Sequence, residues 1–256
     1  MDTLILRVLL APALIAIATL VGRRWGPGVS GWLVALPLTS GPIALLVALE
    51  HGQRFAATAA IGALNGALAE IAFCLAYVML AHRGSLPAFL AACVSFTVVA
   101  AVLLRVSIPF VALAVLVVGA LGAALVVIPG GREGVTSSTR PHWDLPLRMT
   151  MTTAVVVGIT QVATALGPEL SGVLAMFPAY AAVLTFFAHR AGPASATLVL
   201  RGVVVGLFAG TVFFIVLAVS IERLGVAGGF LTSTALALLV QAASLPFVTM
   251  RRVKIS

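Results

Sequence analysis

Long apolar runs, separated by short clusters of Arg, Gly, Pro and other polar residues, set the pattern of this chain. A helix that crosses the hydrocarbon layer of a bilayer needs about 20 mostly apolar residues. On that measure the pattern predicts nine helices. They run about Leu4 to Val21, Ser30 to Leu49, Phe55 to Ala81, Leu86 to Leu104, Ile108 to Ile128, Leu147 to Leu166, Ser171 to Ala188, Ala196 to Ser220 and Gly229 to Met250. The longest polar stretch opens at Pro129-Gly130-Gly131 and closes near Pro146, where a linker between two halves is expected.

One stretch occurs twice. Gly26-Pro27-Gly28-Val29-Ser30-Gly31-Trp32-Leu33-Val34-Ala35-Leu36-Pro37 recurs 141 residues later as Gly167-Pro168-Glu169-Leu170-Ser171-Gly172-Val173-Leu174-Ala175-Met176-Phe177-Pro178. The shared pattern is Gly-Pro-x-[Val/Leu]-Ser-Gly-x-Leu-x-x-x-Pro, which reads as an internal repeat. Gly62, Gly66 and Phe73 match Gly202, Gly206 and Phe213 in the same way, at a separation of 140. Glycines spaced by four let helices approach closely, and packing alone is enough to account for them. In both copies the closing Pro falls inside an apolar run, where its missing N–H kinks or opens a helix. Paired interrupted helices at corresponding places in two halves point to a transporter's binding site.

An odd number of crossings before the second copy turns it upside down. The pattern therefore predicts an all-α integral membrane protein of about nine transmembrane helices, built as two four-helix repeats of inverted topology. The first repeat covers 1–104, a linking helix with a cytoplasmic loop covers 105–146, and the second repeat covers 147–256. Charge offers an independent check. With alternating crossings, one side receives Arg23, Arg24, Arg83, Arg132, Arg140, Arg148, Arg190, Arg251, Arg252 and Lys254, and the other only Arg54, Arg105 and Arg223. Basic residues gather on the cytoplasmic side, so the N-terminus is expected outside and the C-terminus inside.

Composition sharpens the class. The 256 residues are 62% hydrophobic and 9% charged, against about 25% charged in soluble domains. No polar segment is long enough for a soluble domain. The net charge of +8 belongs to membrane orientation, not to nucleic acid. Nearly all of it is Arg, which suits a GC-rich bacterial genome and an inner-membrane location. Asp2 stands where a secretory signal would be basic, and Arg23 and Arg24 follow the first apolar run instead of preceding it, so that run is expected to stay in the mature chain. Cys74 and Cys93 lie within apolar runs, and His51, His82, His142 and His189 fall at helix ends or in loops, so neither a disulfide framework nor a metal site is expected.

Both halves resemble the small four-helix GlpM-like inner-membrane proteins. The run Gly172-Val173-Leu174-Ala175-Met176-Phe177-Pro178-Ala179-Tyr180-Ala181 is similar to that family's Gly-Leu-x-x-Leu-Phe-Pro-Thr-Phe-Ala, Arg201 stands early in the next helix, and Leu86-Pro87-Ala88-Phe89 resembles the family's Leu-Pro-Ala-Ala. The resemblance implies two fused family-like units, an arrangement similar to the drug/metabolite transporter superfamily. The first half departs from it, with Leu36-Pro37-Leu38-Thr39 at the motif and no counterpart of Arg201.

Glu70 is the one acidic residue deep in a predicted crossing, and intramembrane ionisable groups are costly enough to be candidates for function. Pairing with a buried Arg or with backbone is the alternative reading. Arg201 either snorkels to the headgroups or binds an anionic substrate. Thr39, Ser40, Gln161, Thr164 and Tyr180 are uncharged polar groups at suitable depth, and Pro37 and Pro178 mark the two breaks. These residues point to a secondary transporter or flippase for a small polar or anionic metabolite or lipid-linked group, working by alternating access and coupled to protonation of Glu70. The alternative is a non-transporting membrane partner of an envelope-assembly or metabolic enzyme. Enzymatic activity is not expected: paired carboxylates, a nucleophile elbow and a phosphate loop are all missing from the sequence. The expected partners are the lipid bilayer and an unidentified small molecule, with no cofactor and no nucleic acid.

Overall fold

The computed structural model describes residues 2–37, 40–131, 143–165 and 177–249, with the side chains of 2–10, 40, 43, 47 and 159–165 left out. Every regular element among the described residues is helical. In chain order these are α1 (Asp2–Trp25), α2 (Pro27–Val34), α3 (Ser40–His51), α4 (Gln53–Leu80), α5 (Ser85–Arg105), α6 (Phe110–Val127), α7 (Asp144–Ala165), α8 (Ala179–Ala188) and α9 (Pro193–Thr249). Four helical stretches among the described residues are long and apolar enough to cross a membrane: Gln53–Arg83, α5, α6 and α9.

Three of the predicted crossings take a form that apolar length alone does not reveal. The second is divided into α2 and α3 on either side of Pro37. The eighth and ninth run together as α9, whose backbone leaves the helical region only at Gly225 (φ 74°, ψ 175°). The positive φ reverses the chain there, a conformation that Gly adopts without Cβ strain. The two arms, 193–224 and 226–249, fold back on each other. Gly229 rests on the backbone of Ile221, and Gly28 of α2 faces the carbonyls of both Leu198 and Val248.

The repeated motif has a clear local logic in its first copy. Gly26, at φ 100°, makes the turn between α1 and α2, and Pro27 begins α2, where its missing N–H costs nothing. The Ser30 hydroxyl donates to the Pro27 carbonyl at 2.7 Å, and its side chain seats on Gly22 of α1. Gly31 meets the backbone of Val199, and Gly202 and Gly206 meet the backbone of Gly28 and Trp32. A methyl group at Gly31 or Gly202 would overlap the facing carbonyl. The α2 helix is thereby held in the cleft between the two arms of α9. Most of the second copy, 167–176, lies outside the described residues.

The two halves share their packing. One continuous core joins Ile15, Leu64, Phe73, Phe96 and Leu121 to Leu184, Leu200 and Leu207. A smaller cluster at the other end joins Ala56 and Ala60 of α4 to Phe213, Leu217 and Ala237 of α9. α6 packs against α4 from the first half and α9 from the second. The rows Leu90, Val94, Val98 and Val102 on α5, and Val111, Val115, Val118 and Val126 on α6, stay exposed.

Candidate functional site

Pro37 opens the helix by a route that can be followed bond by bond. Lacking an N–H, it cannot donate to the Leu33 carbonyl. The Leu36 N–H turns to Leu33 instead, at 3.3 Å, and the Trp32 carbonyl is left without its usual partner one turn on. Gln241, buried on the second arm of α9, donates its amide to that carbonyl at 2.9 Å. The Trp32 indole donates to the Ser244 hydroxyl at 2.9 Å. A buried carbonyl freed by a helix break needs a donor from elsewhere in the protein, and here α9 supplies it. Gln241 Oε1 is buried with no hydrogen-bond partner among the described residues, an acceptor left open beside the break. The helix restarts where Gly41 donates to the Pro37 carbonyl at 2.8 Å.

Pro178 stands at the start of α8. Its φ of −78° and ψ of 62°, with Ala179 N–H donating to Phe177 carbonyl at 2.8 Å, form an inverse γ-turn from which α8 begins. Phe177 is clamped edge-on by Phe73 of α4 at 6.1 Å and Phe96 of α5 at 5.5 Å. Pro37 and Pro178 also compare in position. At 1.5 Å per residue α2 spans about 12 Å and α8 about 15 Å. Both are measured from the end where α1 meets α7, so Pro37 and Pro178 lie at similar distances from that end.

Glu70 sits on the inner face of α4. It precedes Phe73, Cys74 and Tyr77 by one or two turns, and all three are fully buried. Side chains three, four and seven positions apart share a helix face. Glu70 itself is half-buried, with no hydrogen bond or ion pair among the described residues. It therefore shares the face that carries Phe73 against Phe177, beside Pro178. Asn65, also half-buried, lies on a different face of α4.

Arg201 is placed elsewhere. It donates to the carbonyls of Leu125, at 2.9 Å, and Ile128, closing the C-terminus of α6, where unpaired carbonyls and the helix dipole both favour a cation. No contact with Glu70, Pro37 or Pro178 is present among the described residues. Tyr180, the second residue of α8, is half-buried against the core. Thr39 lies outside the described residues, as do the side chains of Ser40, Gln161 and Thr164.

Three polar contacts were not read from the sequence. Gln241 is the first; a lone amide in the run Leu238-Leu239-Val240-Gln241-Ala242 was its only signal. The second is an ionic clasp in which Asp144 accepts from Arg23 of α1 at 3.1 Å and from Arg148, four residues on, at 3.1 and 3.3 Å. Burial works to raise the Asp144 carboxyl, but the Arg148 and Arg23 guanidiniums bring it below its usual range. The third joins the Tyr77 hydroxyl to His189 Nδ1 at 3.0 Å. Burial lowers the His189 imidazole, which favours the neutral form.

Compared with protein-family models, curated proteins and solved structures, the chain matches none.

Proposed function

We propose that this is a multi-pass transporter or flippase of a bacterial inner membrane, with its site between two inverted halves at the Pro37 and Pro178 breaks. The observation that carries this reading is the placement of the corresponding prolines, Pro37 between α2 and α3 and Pro178 at the start of α8, at similar distances from one end, with the carboxylate of Glu70, unpaired among the described residues, on the helix face beside Pro178. Gln241 Oε1, without a partner among the described residues, adds an acceptor beside Pro37. Helix pairing supports the inversion. α1 packs antiparallel to α7, and α4 antiparallel to the first arm of α9, so equivalent helices of the two repeats meet each other. That is the relation a two-fold axis in the membrane plane produces. In this reading α2 and α3 together make one crossing, and α9 makes two. The GlpM-like kinship of each half belongs to the same proposal.

The polar groups at the breaks suit a small, hydrogen-bonding cargo. Arg201, engaged by the end of α6, is not assigned to it. Glu70 exchanges a proton as the halves alternate, because a bare carboxylate in low dielectric is costly and a protonated one is not. The test uses purified protein in proteoliposomes, with cargo candidates screened by thermal shift and then by counterflow. Glu70→Gln is expected to abolish uptake driven by a pH gradient and to spare counterflow. If Glu70→Gln and Pro37→Ala both left every measurable flux unchanged, the mechanism would be wrong.

A further inference from the structure

Among the described residues, the end of the molecule that carries the Asp144 clasp gathers more positive charge than the clasp neutralises. Asp144 already serves two guanidiniums, Arg23 and Arg148. Phe187 lies under two as well, with Arg148 at 4.7 Å and Arg190 at 4.8 Å from the ring centre. Arg190 also reaches the Trp143 ring at 5.7 Å, and Arg24 lies over Trp25 at 5.3 Å. Arg190 is exposed and has no carboxylate partner among the described residues. Aromatic faces orient these guanidiniums but do not cancel their charge.

Trp25 and Trp143 are 57% and 55% exposed. Large amphipathic rings held outward next to arginines are the anchors found at the headgroup level of a bilayer. A planar guanidinium, already oriented by a ring, presents paired N–H groups that match phosphate oxygens.

We propose that the junction of α1, α7 and α8 is a binding site for the phosphodiester headgroup of an anionic phospholipid in the cytoplasmic leaflet. Arg190 is its principal donor, Arg23 and Arg24 flank it, and Trp25 and Trp143 seat it at the interface. A bound headgroup supplies the negative charge that Asp144 alone does not. It also ties α1 to α7 and α8, and so the first half to the second. The inference rests on embedding in a bilayer, not on transport.

The test follows thermal unfolding of the detergent-solubilised full chain as lipid is added. Flotation with phosphatidylcholine vesicles checks embedding separately. Phosphatidylglycerol is expected to raise the unfolding midpoint in a saturable way, and phosphatidylcholine is not. Arg190→Gln is expected to weaken the phosphatidylglycerol response about fivefold, the effect of one interfacial guanidinium. Arg223→Gln, an exposed Arg beside the Gly225 turn, is expected to respond as the native chain does. Inorganic phosphate is expected to have little effect; protection by phosphate equal to that by lipid would overturn the lipid assignment. Equal responses from both lipids, an unaltered Arg190→Gln, or an equal loss in Arg223→Gln would overturn the site.

Discussion

Pro37 withholds one N–H from α2, and a side chain from the other half of the chain answers for it. The Leu36 N–H moves to Leu33, and Gln241 takes the Trp32 carbonyl that Leu36 would otherwise hold. If that is the physical role of Gln241, its importance depends on Pro37. Gln241→Leu strands a carbonyl inside the protein and should cost about 1–3 kcal/mol. In a Pro37→Ala background the helix can continue, Leu36 can return to Trp32, and the same substitution should cost about 1 kcal/mol less. A double-mutant cycle read by thermal unfolding in detergent measures the difference. Strict additivity would mean that Gln241 is not the replacement donor. The Pro was legible in the sequence because its effect is local and covalent. Gln241 was not, because nothing in the run around it says which carbonyl, 209 residues away, it will meet. Arg201 shows the complementary limit. A guanidinium near a helix end suits headgroups, an anion or carbonyls equally, and only the position of α6 decides for the carbonyls.

Helices were easier to read than residues, since a continuous apolar run of sufficient length leaves backbone polar groups no other way to be satisfied. Each predicted run therefore has a helix among the described residues. Their breaks were half legible. Pro37 announced its break and Pro178 the start of α8, whereas the Gly225 reversal sat among other glycines in Gly225-Val226-Ala227-Gly228-Gly229, any of which fits a turn. How elements join was hidden, and the pairing of α1 with α7 is the example. The clasp there has a defined pH dependence. The Asp144 carboxyl is lowered on folding, so its stabilising contribution is present above the ordinary carboxylate range and is lost as pH falls through the lowered value. Asp144→Asn removes the carboxylate that accepts from both Arg148 and Arg23 and should cost about 2 kcal/mol at neutral pH. The gap between the native chain and Asp144→Asn should close under strong acid. Thermal midpoints followed from pH 7 downward check this; a gap that persisted at the lowest pH would show that Asp144 acts by packing and not by charge.

At the scale of the whole molecule, the arrangement of ends can be compared with the charge pattern that suggested inversion. Arg23, Asp144, Arg148, Trp143 and Arg190 meet one another, and Tyr77 meets His189, so the C-terminal end of α4 and the ends around α1, α7 and α8 lie together. Arg83, three residues past α4, belongs to the same end, and Arg54 and Arg223 to the opposite one. Residues assigned to one side of a bilayer by charge counting are thus neighbours in space. This grouping makes the orientation testable without any knowledge of cargo. In a background with Cys74 and Cys93 replaced by Ala, single cysteines at the exposed positions 54, 83, 194 and 223 can be probed in intact cells with a membrane-impermeant maleimide. Arg54→Cys and Arg223→Cys should label from outside, whereas Arg83→Cys and Ala194→Cys should label only after the cells are opened. Position 54 belongs to the first half and 223 to the second, so their shared side tests the odd number of crossings between the two copies. If 54 and 223 labelled from opposite sides, the copies would be parallel, and the two breaks would no longer be related by an axis in the membrane plane.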